Sequence, residues 1–398
     1  MSAITSLTAT EHLHELFKES SELSKLDELA ASSDSKIVYD IVEPNGSMSL
    51  PQAILKAHIM KILVQCGFKI VLYIGDWLAF LHKKHTGNLQ SIQTIGKYYI
   101  EVWKALGVPF GENIQIVWMK EAVGKNPIYW EQMIDFSQVF TAVKLKTVSQ
   151  QMENLKENSL LASHIMSPCL SCANMFFTET HCACSSSASA SSPESAPSQR
   201  LADVIQIGHD QEQITDLLKT YCTKKGIKQP IIIDQHMLLS LSNPKEVMTK
   251  KTPASTIFVE ETTDEIKKKM KKAFLAPDLE EPSGVIDLIF NLIIPIIGEF
   301  KIGEKNVKTM SELKEVVADG SVSLGAVKES VADAINFLLE PVRRHFSPDA
   351  SEELQKLHQE VMLILHPPKP VSVKKEKKKG ERPPKPQPKV EAKAEEGK

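Results

Sequence analysis

The stretch EPNGSMSLPQA, residues 43–53, follows the extended apolar run KIVYDIV and leads into the helix-like PQAILKAHIMKILVQ. Strand, glycine turn and helix start, in that order, make a phosphate-binding loop, because free backbone N–H groups at a helix N-terminus hold an anion. The side chains do not complete that chemistry. Residues 43–53 contain no histidine and no lysine, and their one ionisable group is Glu43. Four cysteines offer a second chemistry: Cys169 and Cys172 form a C-x-x-C and Cys182 and Cys184 a C-x-C, with His181 beside them. On count this is a zinc ligand set. Cys169 and Cys172 fall in a helical apolar pattern, IMSPCLSCANMFF, whereas Cys182 and Cys184 open a Ser/Ala run. Packed free thiols are therefore the preferred reading, and no metal is assigned. A third candidate is KKEKKKGERPPKPQPK near the end of the chain, which can neutralise several phosphates. Glu376, Glu381 and Glu391 dilute that charge and no aromatic is present to stack on bases, which favours a solvated tail.

Groups of this kind need a scaffold. With 398 residues, 42% hydrophobic and 24% charged, the chain has the composition of one large or two ordinary globular domains. A net charge of −3 argues against a general nucleic-acid coating, and DNA is not expected as a partner. No run approaches the ~20 apolar residues of a membrane span. VIDLIFNLIIPIIGEF is too short and carries Asp287 and Pro295, so it reads as a buried helix ending near that proline. Six cysteines in a chain this long, without a secretory apolar segment, point to a reduced, cytoplasmic setting.

Residues 1–35 read as a surface helix pair. From 36 to 260, short β-rich runs alternate with amphipathic helices: KIVYDIV, FKIVLYIGDW, IQIVWMK, ADVIQIG and QPIIIDQHMLL are the predicted strands. Such runs separated by helices predict a parallel sheet covered on both faces, a Rossmann-type α/β domain. Residues 181–200 are Ser/Ala/Pro-rich and read as a disordered insertion. Residues 261–365 are helical by period and form a second, α-helical domain; residues 366–398 read as a disordered Lys/Pro-rich tail.

Several stretches go beyond generic α/β. IGDWLAFLHKKHTGNLQSIQTIGKYYIEVWKALGV, IGHDQE, QHMLLSLSNPKEVMTKKTPASTIF, KKKMKKAFLAP and LLEPVRRHF resemble, in the same order, eukaryotic-type class I tyrosyl-tRNA synthetases over about residues 36–347. The resemblance implies a Rossmann-type catalytic domain, an α-helical anticodon-binding-like domain, a dimeric assembly and tRNA as a partner. It also implies ATP as co-substrate where the site works, and otherwise no cofactor.

The site is carried over position by position. Glu43, Pro44 and Gly46 match the family's HIGH-type turn, but the signature histidine falls on Ser49 and the following small residue on Ala53. Ile41 stands where related sequences have glycine, which lets a ligand approach the backbone. The KMSKS-like stretch is Val247-Met248-Thr249-Lys250-Lys251, with the first lysine lost and Lys250 kept. The amino-acid pocket, with Tyr39, aligns along Ser167-Pro168-Cys169-Leu170-Ser171-Cys172-Ala173-Asn174, so tyrosine, glutamine and aspartate become Ser167, Ser171 and Asn174. Gly208, Asp210 and Gln211 survive from G-x-D-Q-R, whose arginine is Glu212. In the anticodon signature, histidine and aspartate become Ser323 and Ala326.

Adenylation builds negative charge on phosphate oxygens, and each lost donor there costs ~3–4 kcal/mol of transition-state stabilisation. The resemblance therefore implies a non-catalytic member acting in tyrosyl-tRNA aminoacylation, as a homodimer or beside an intact tyrosyl-tRNA synthetase. Some family members are fused tandem copies with one inactive half, and this chain resembles such a half. An active tyrosine–tRNA ligase with a rebuilt pocket is the alternative.

Overall fold

The computed structural model describes residues 8–367 apart from 19, 33–35, 178–199, 209 and 210. Most of the Ser-rich insertion, and the tail beyond residue 367, thus lie outside the described residues.

All five predicted strands form: β1 Ile37–Val42, β2 Lys69–Ile74, β3 Ile114–Trp118, β4 Val204–Gly208 and β5 Ile231–Gln235. They make one parallel sheet in the order β3-β2-β1-β4-β5, with β1 paired to β2 from Ile37↔Lys69 to Val42↔Ile74. Near-continuous apolar strands suit a sheet buried on both faces. Side-chain alternation then sorts the residues. Val38, Val42, Ile70 and Leu72 go to one core, and Ile37, Tyr39, Val71 and Tyr73 to the other. The strand order reverses between β1 and β4, so a crevice opens at their C-terminal ends, where α/β proteins of this type bind ligands.

Around the sheet run α1 Ala9–Leu16, α2 Leu23–Ala31, α3 Lys56–Gln65, α4 Asp76–Leu81, α5 Leu89–Ala105, α6 Met119–Lys125, α7 Ile128–Ser137, α8 Ala142–Glu153, α9 Ala162–Asn174 and α10 Glu212–Lys225. The first two helices are more than a surface pair. Leu13, Leu16, Phe17 and Leu26 are buried in the larger core, and the Ser20 hydroxyl donates to the Ile232 carbonyl of β5.

The C-terminal region holds α11 Thr263–Lys272, α12 Gly284–Leu288, α13 Ile294–Ile297, α14 Met310–Ala318, α15 Leu324–His345 and α16 Glu352–Leu365. Their starts follow from capping chemistry. Thr262 with Glu265 and Thr309 with Glu312 form reciprocal capping boxes, and Ser283, Ser323 and Ser351 each accept from the first turn they precede. Val327, Val331, Ile335 and Leu339 of α15 face the core shared with the sheet.

Three features depart from the sequence expectation. The apolar segment ends near Pro295, at Ile297, but not as one regular helix: a π turn, Ile289–Ile293, joins α12 to α13. Proline is tolerated there because it stands in the first turn after the bulge, where its missing N–H removes no regular helical bond. A hairpin, β6 Phe300–Ile302 with β7 Lys305–Val307, interrupts the helical region. Its strands of three residues are too short to show alternation. α16 also packs against α5, with His358 stacked on Phe346, which in turn lies against Tyr98 of α5.

Candidate functional site

The loop after β1 carries Glu43 to Leu50 across the C-terminal ends of the strands. Gly46 takes φ +135°, in the region that favours glycine, and its carbonyl accepts from the Tyr99 hydroxyl of α5 at 2.6 Å. The loop is then zipped to the segment before α11. Leu50 N donates to Ile257 O at 3.1 Å, Val259 N donates to Met48 O at 2.9 Å, and Ser49 bridges Phe258. Ser49 is therefore buried, its backbone N and hydroxyl both 3.4 Å from Gln52 Oε1. Position 49 takes part in the turn and offers no charge to an anion. Ile41, at the end of β1, lies against Gly75: a Cβ on that glycine would meet Ile41 Cδ1 at 3.3 Å.

In the second loop, Met248 is buried and its N–H donates to Leu238 O at 2.6 Å. Lys250 turns inward while Lys251 is exposed. The Lys250 ammonium donates to Asn45 Oδ1 and to the Tyr99 hydroxyl, the latter at 2.8 Å, and sits 5.4 Å from the Tyr99 ring centre. Burial pulls the ammonium down to about 7, against the opposing pull of the Glu260 and Glu43 charges. Glu260, which accepts from Met48 N at 3.0 Å, is pushed up to about 7 by burial, offset by that N–H and by Lys250. The lysine kept from the KMSKS-like stretch is thus harder to keep charged than an exposed one, with two of its donors committed inside the protein.

Glu43 points the other way. Its Oε2 is 3.0 Å from His82 Nδ1, and Lys84 Nζ lies 3.8 Å from its Oε1. Burial works against the Glu43 carboxylate, but the hydrogen bond and charge of His82 and the charge of Lys84 leave it below its ordinary value.

On the other face of the sheet, Tyr39 and Asn174 meet in complete burial, while Gln206 of β4, equally buried, alternates with Ile205 and Ile207 onto the opposite face. Asn174 faces the Tyr39 hydroxyl, but among the described residues neither that hydroxyl nor the Asn174 and Gln206 amides makes a well-formed hydrogen bond. Burial first, then Tyr129, pushes the Tyr39 phenol far up. Aromatic rings pack beside it: Tyr73 is 5.3 Å away between centroids, its hydroxyl 2.6 Å from that of Tyr129, which stacks on Phe177 at 3.7 Å. Ser167 donates to His164 O at 2.9 Å within α9, so its hydroxyl serves its own helix. Ser171 is half-buried on α9, Gln211 half-buried at the start of α10, and Gly208 ends β4 opposite Gln235. Asp210 lies outside the described residues.

Ser323 and Ala326 form a helix start: the Ser323 hydroxyl accepts from Ala326 N at 3.1 Å as the cap of α15. Cys169 and Cys172 are buried in α9. Burial pushes the Cys169 thiol up to about 11 and the Cys172 thiol well above its ordinary value, which disfavours the thiolate. Cys182, Cys184 and His181 lie outside the described residues.

Sequence reasoning missed Asn45, Tyr99, Glu260, His82 and Glu153. Asn45 is the first amide side chain of the EPNGSMSLPQA loop, and His82 and Tyr99 lie in the stretch from Ile74 to Val108.

Comparison with known proteins accounts for this arrangement. The profile of the tRNA synthetases class I (W and Y) matches residues 32–340. The cytoplasmic tyrosine–tRNA ligase 1 of Arabidopsis thaliana is 30% identical over 335 residues, covering 82% of this chain and 81% of its own. The cytoplasmic tyrosine–tRNA ligase 2 of the same plant is 28% identical, and the match spans 42% of its length. The structure of Leishmania major tyrosyl-tRNA synthetase in complex with tyrosinol superposes with a TM-score of 0.76 at 26% identity, over 91% of this chain and 54% of that one. No helix among the described residues is long and apolar enough to cross a membrane. With the match extending from before β1 into α15, the chain belongs to the class I tRNA synthetases of the tryptophan and tyrosine group, and within it is tyrosyl-tRNA synthetase-like.

Proposed function

We propose that this chain acts in tyrosyl-tRNA aminoacylation as a non-catalytic structural or tRNA-binding partner, paired in the cytoplasm with an intact tyrosyl-tRNA synthetase chain or with a second copy of itself. The observation that carries this reading is the state of Lys250. It is the one cation retained at the signature positions 49, 247 and 250, its ammonium is pulled down to about 7 by burial, and it is tied to Asn45 and Tyr99. In the loop after β1, Ser49 contacts Gln52 and Glu43 pairs with His82, so the loop offers no cation of its own to a phosphate. Without donors aimed at the reacting phosphate, the main electrostatic contribution to adenylation is missing.

The scaffold is kept while the ligand groups are not, as a protein selected for an interface requires. The edge strand β3 borders a groove of ≈ 600 Å³ lined by Gln115, Trp118, Lys125 and Ile128, and Trp130 and Ile134 of α7 stand exposed beyond it. We place the partner chain on this side.

Tyrosine-dependent ATP–pyrophosphate exchange by the isolated chain tests the reading. Exchange at the level of the enzyme-free control is expected. Robust exchange would replace this reading with that of an active ligase.

A further inference from the structure

Glu43, His82 and Glu153 arrive from three separate parts of the chain: the end of β1, the residue after α4 and the last residue of α8. His82 Nδ1 lies 3.0 Å from Glu43 Oε2 and 3.4 Å from Glu153 Oε1, and one donor atom from each of the three lies within 4.8 Å of the others. Atoms bound at ~2.0–2.2 Å to one small cation stand ~3.0–3.5 Å apart at tetrahedral or octahedral angles. Both contacts to the imidazole fall in that range.

Hydrogen bonding accounts for only part of this arrangement. Nδ1 carries at most one proton and faces two carboxylates. The His82 side chain is 4% exposed, so water does not supply the difference. Glu43 Oε1 is buried with no hydrogen-bond donor, and its neighbouring cation is the Lys84 ammonium at 3.8 Å. That ammonium pairs at 2.6 Å with Glu153 Oε2, while its side chain keeps 27% of its exposure. It sits where a cation is wanted and has a path out to water.

We propose that Glu43, His82 and Glu153 form a site for one divalent first-row cation, with Lys84 holding the place when no metal is bound. One imidazole nitrogen and two carboxylates, without a thiolate, suit Mn²⁺ or Zn²⁺. Binding releases the proton on His82 Nδ1 and frees the Lys84 ammonium to solvent. The bound ion ties the β1 loop to α4 and α8, and so fixes Glu43 away from Lys250. The site stands whether or not the chain activates tyrosine.

Mn²⁺ alone is the probe, because the thiols of the chain hold it poorly. The full chain is titrated and the loss of the free-ion electron paramagnetic resonance signal is followed. One Mn²⁺ per chain is expected. His82→Gln and Glu153→Gln should each weaken binding by about tenfold or more, and Lys84→Met should tighten it several-fold by removing the competing ammonium. No uptake below millimolar Mn²⁺ in either the native chain or Lys84→Met overturns the proposal, as does uptake unaltered by both ligand substitutions. Where the ligand variants lose their near-ultraviolet circular dichroism, Lys84→Met decides: unchanged affinity overturns the site.

Discussion

The Lys250 ammonium donates to the Tyr99 hydroxyl at 2.8 Å, and that hydroxyl donates onward to the Gly46 carbonyl at 2.6 Å. A residue of α5 thereby clamps the loop after β1 to the loop before α11. The two loops are held together by the protein's own groups.

Tyr99→Phe keeps the ring, and with it the packing on Trp103 and the contact with the ammonium, but removes the hydroxyl. Gly46 O and one Lys250 N–H then lose their partner in a place with little water. Leaving such groups unpaired costs ~1–3 kcal/mol. A fall of that size is expected in urea unfolding at unchanged m-value. A change below ~0.5 kcal/mol would mean that the clamp is not structural.

Asp40 and Lys56 form a second internal pair, at 2.6 Å with side chains 1% and 9% exposed. Burial pushes the Asp40 carboxyl up, and the charge and hydrogen bond of Lys56 hold it back. Asp40→Asn leaves a buried ammonium without its counter-charge, at a cost of ~3–5 kcal/mol. Replacing both residues, Asp40→Leu with Lys56→Met, should recover most of that loss, because an apolar pair avoids the desolvation of two ions. Chemical denaturation of the single and double variants gives the coupling. A double variant as unstable as Asp40→Asn would contradict it.

How much of this was legible in the sequence depended on the range of each interaction. The five strands were readable because β1, β2 and β4 are apolar on both faces, a pattern local to six residues or fewer. Tyr39 and Asn174 were both named as pocket positions through family resemblance, but their contact across 135 positions is made by the fold. Lys250 was identified, but its internal hydrogen bonds to Asn45 and Tyr99 were not. Asn45 lies 205 positions away and Tyr99 lies 151 away, and nothing in their spacing signals a contact that only the fold creates. The same holds for Glu43, His82 and Glu153, which share no motif. Ser323 is different: it caps α15, a role that its residue type and the following LGAV already permit.

Acid stability should report on His58. Burial first, then the charges of Lys61 and His12, pull this imidazole from its ordinary 6.5 down to about 3, and the His12 ring packs edge-on at 6.0 Å. Between about 6.5 and about 3 the unfolded chain takes up a proton at this position and the folded chain does not. Stability therefore falls as pH falls through that window, by as much as ~1.4 kcal/mol per pH unit for one proton. His58→Phe removes the uptake, so the acid limb of the stability–pH curve should lose one proton's worth of slope. An unchanged slope would show that His58 titrates in the folded state as it does in the unfolded one.

The join between the sheet and the helical region should be sensitive to a single methyl group. Gly284 opens α12, and a Cβ there would stand 2.6 Å from Ser240 O and 2.8 Å from Leu239 O. These are backbone carbonyls held in place: Asp287, one turn on, accepts from Leu239 N at 2.6 Å and pairs with His236 at 2.8 Å. The backbone has to shift to admit the methyl, which costs ~1–3 kcal/mol. Gly325, in the first turn of α15, is the control, because its Cβ would meet only Ser323 Oγ at 3.7 Å. There the same substitution should be neutral or stabilising by up to ~1 kcal/mol, since alanine is the better helix former. Thermal unfolding of Gly284→Ala and Gly325→Ala should therefore shift in opposite directions. Equal shifts would mean that α12 is not seated against the 239–240 backbone in solution.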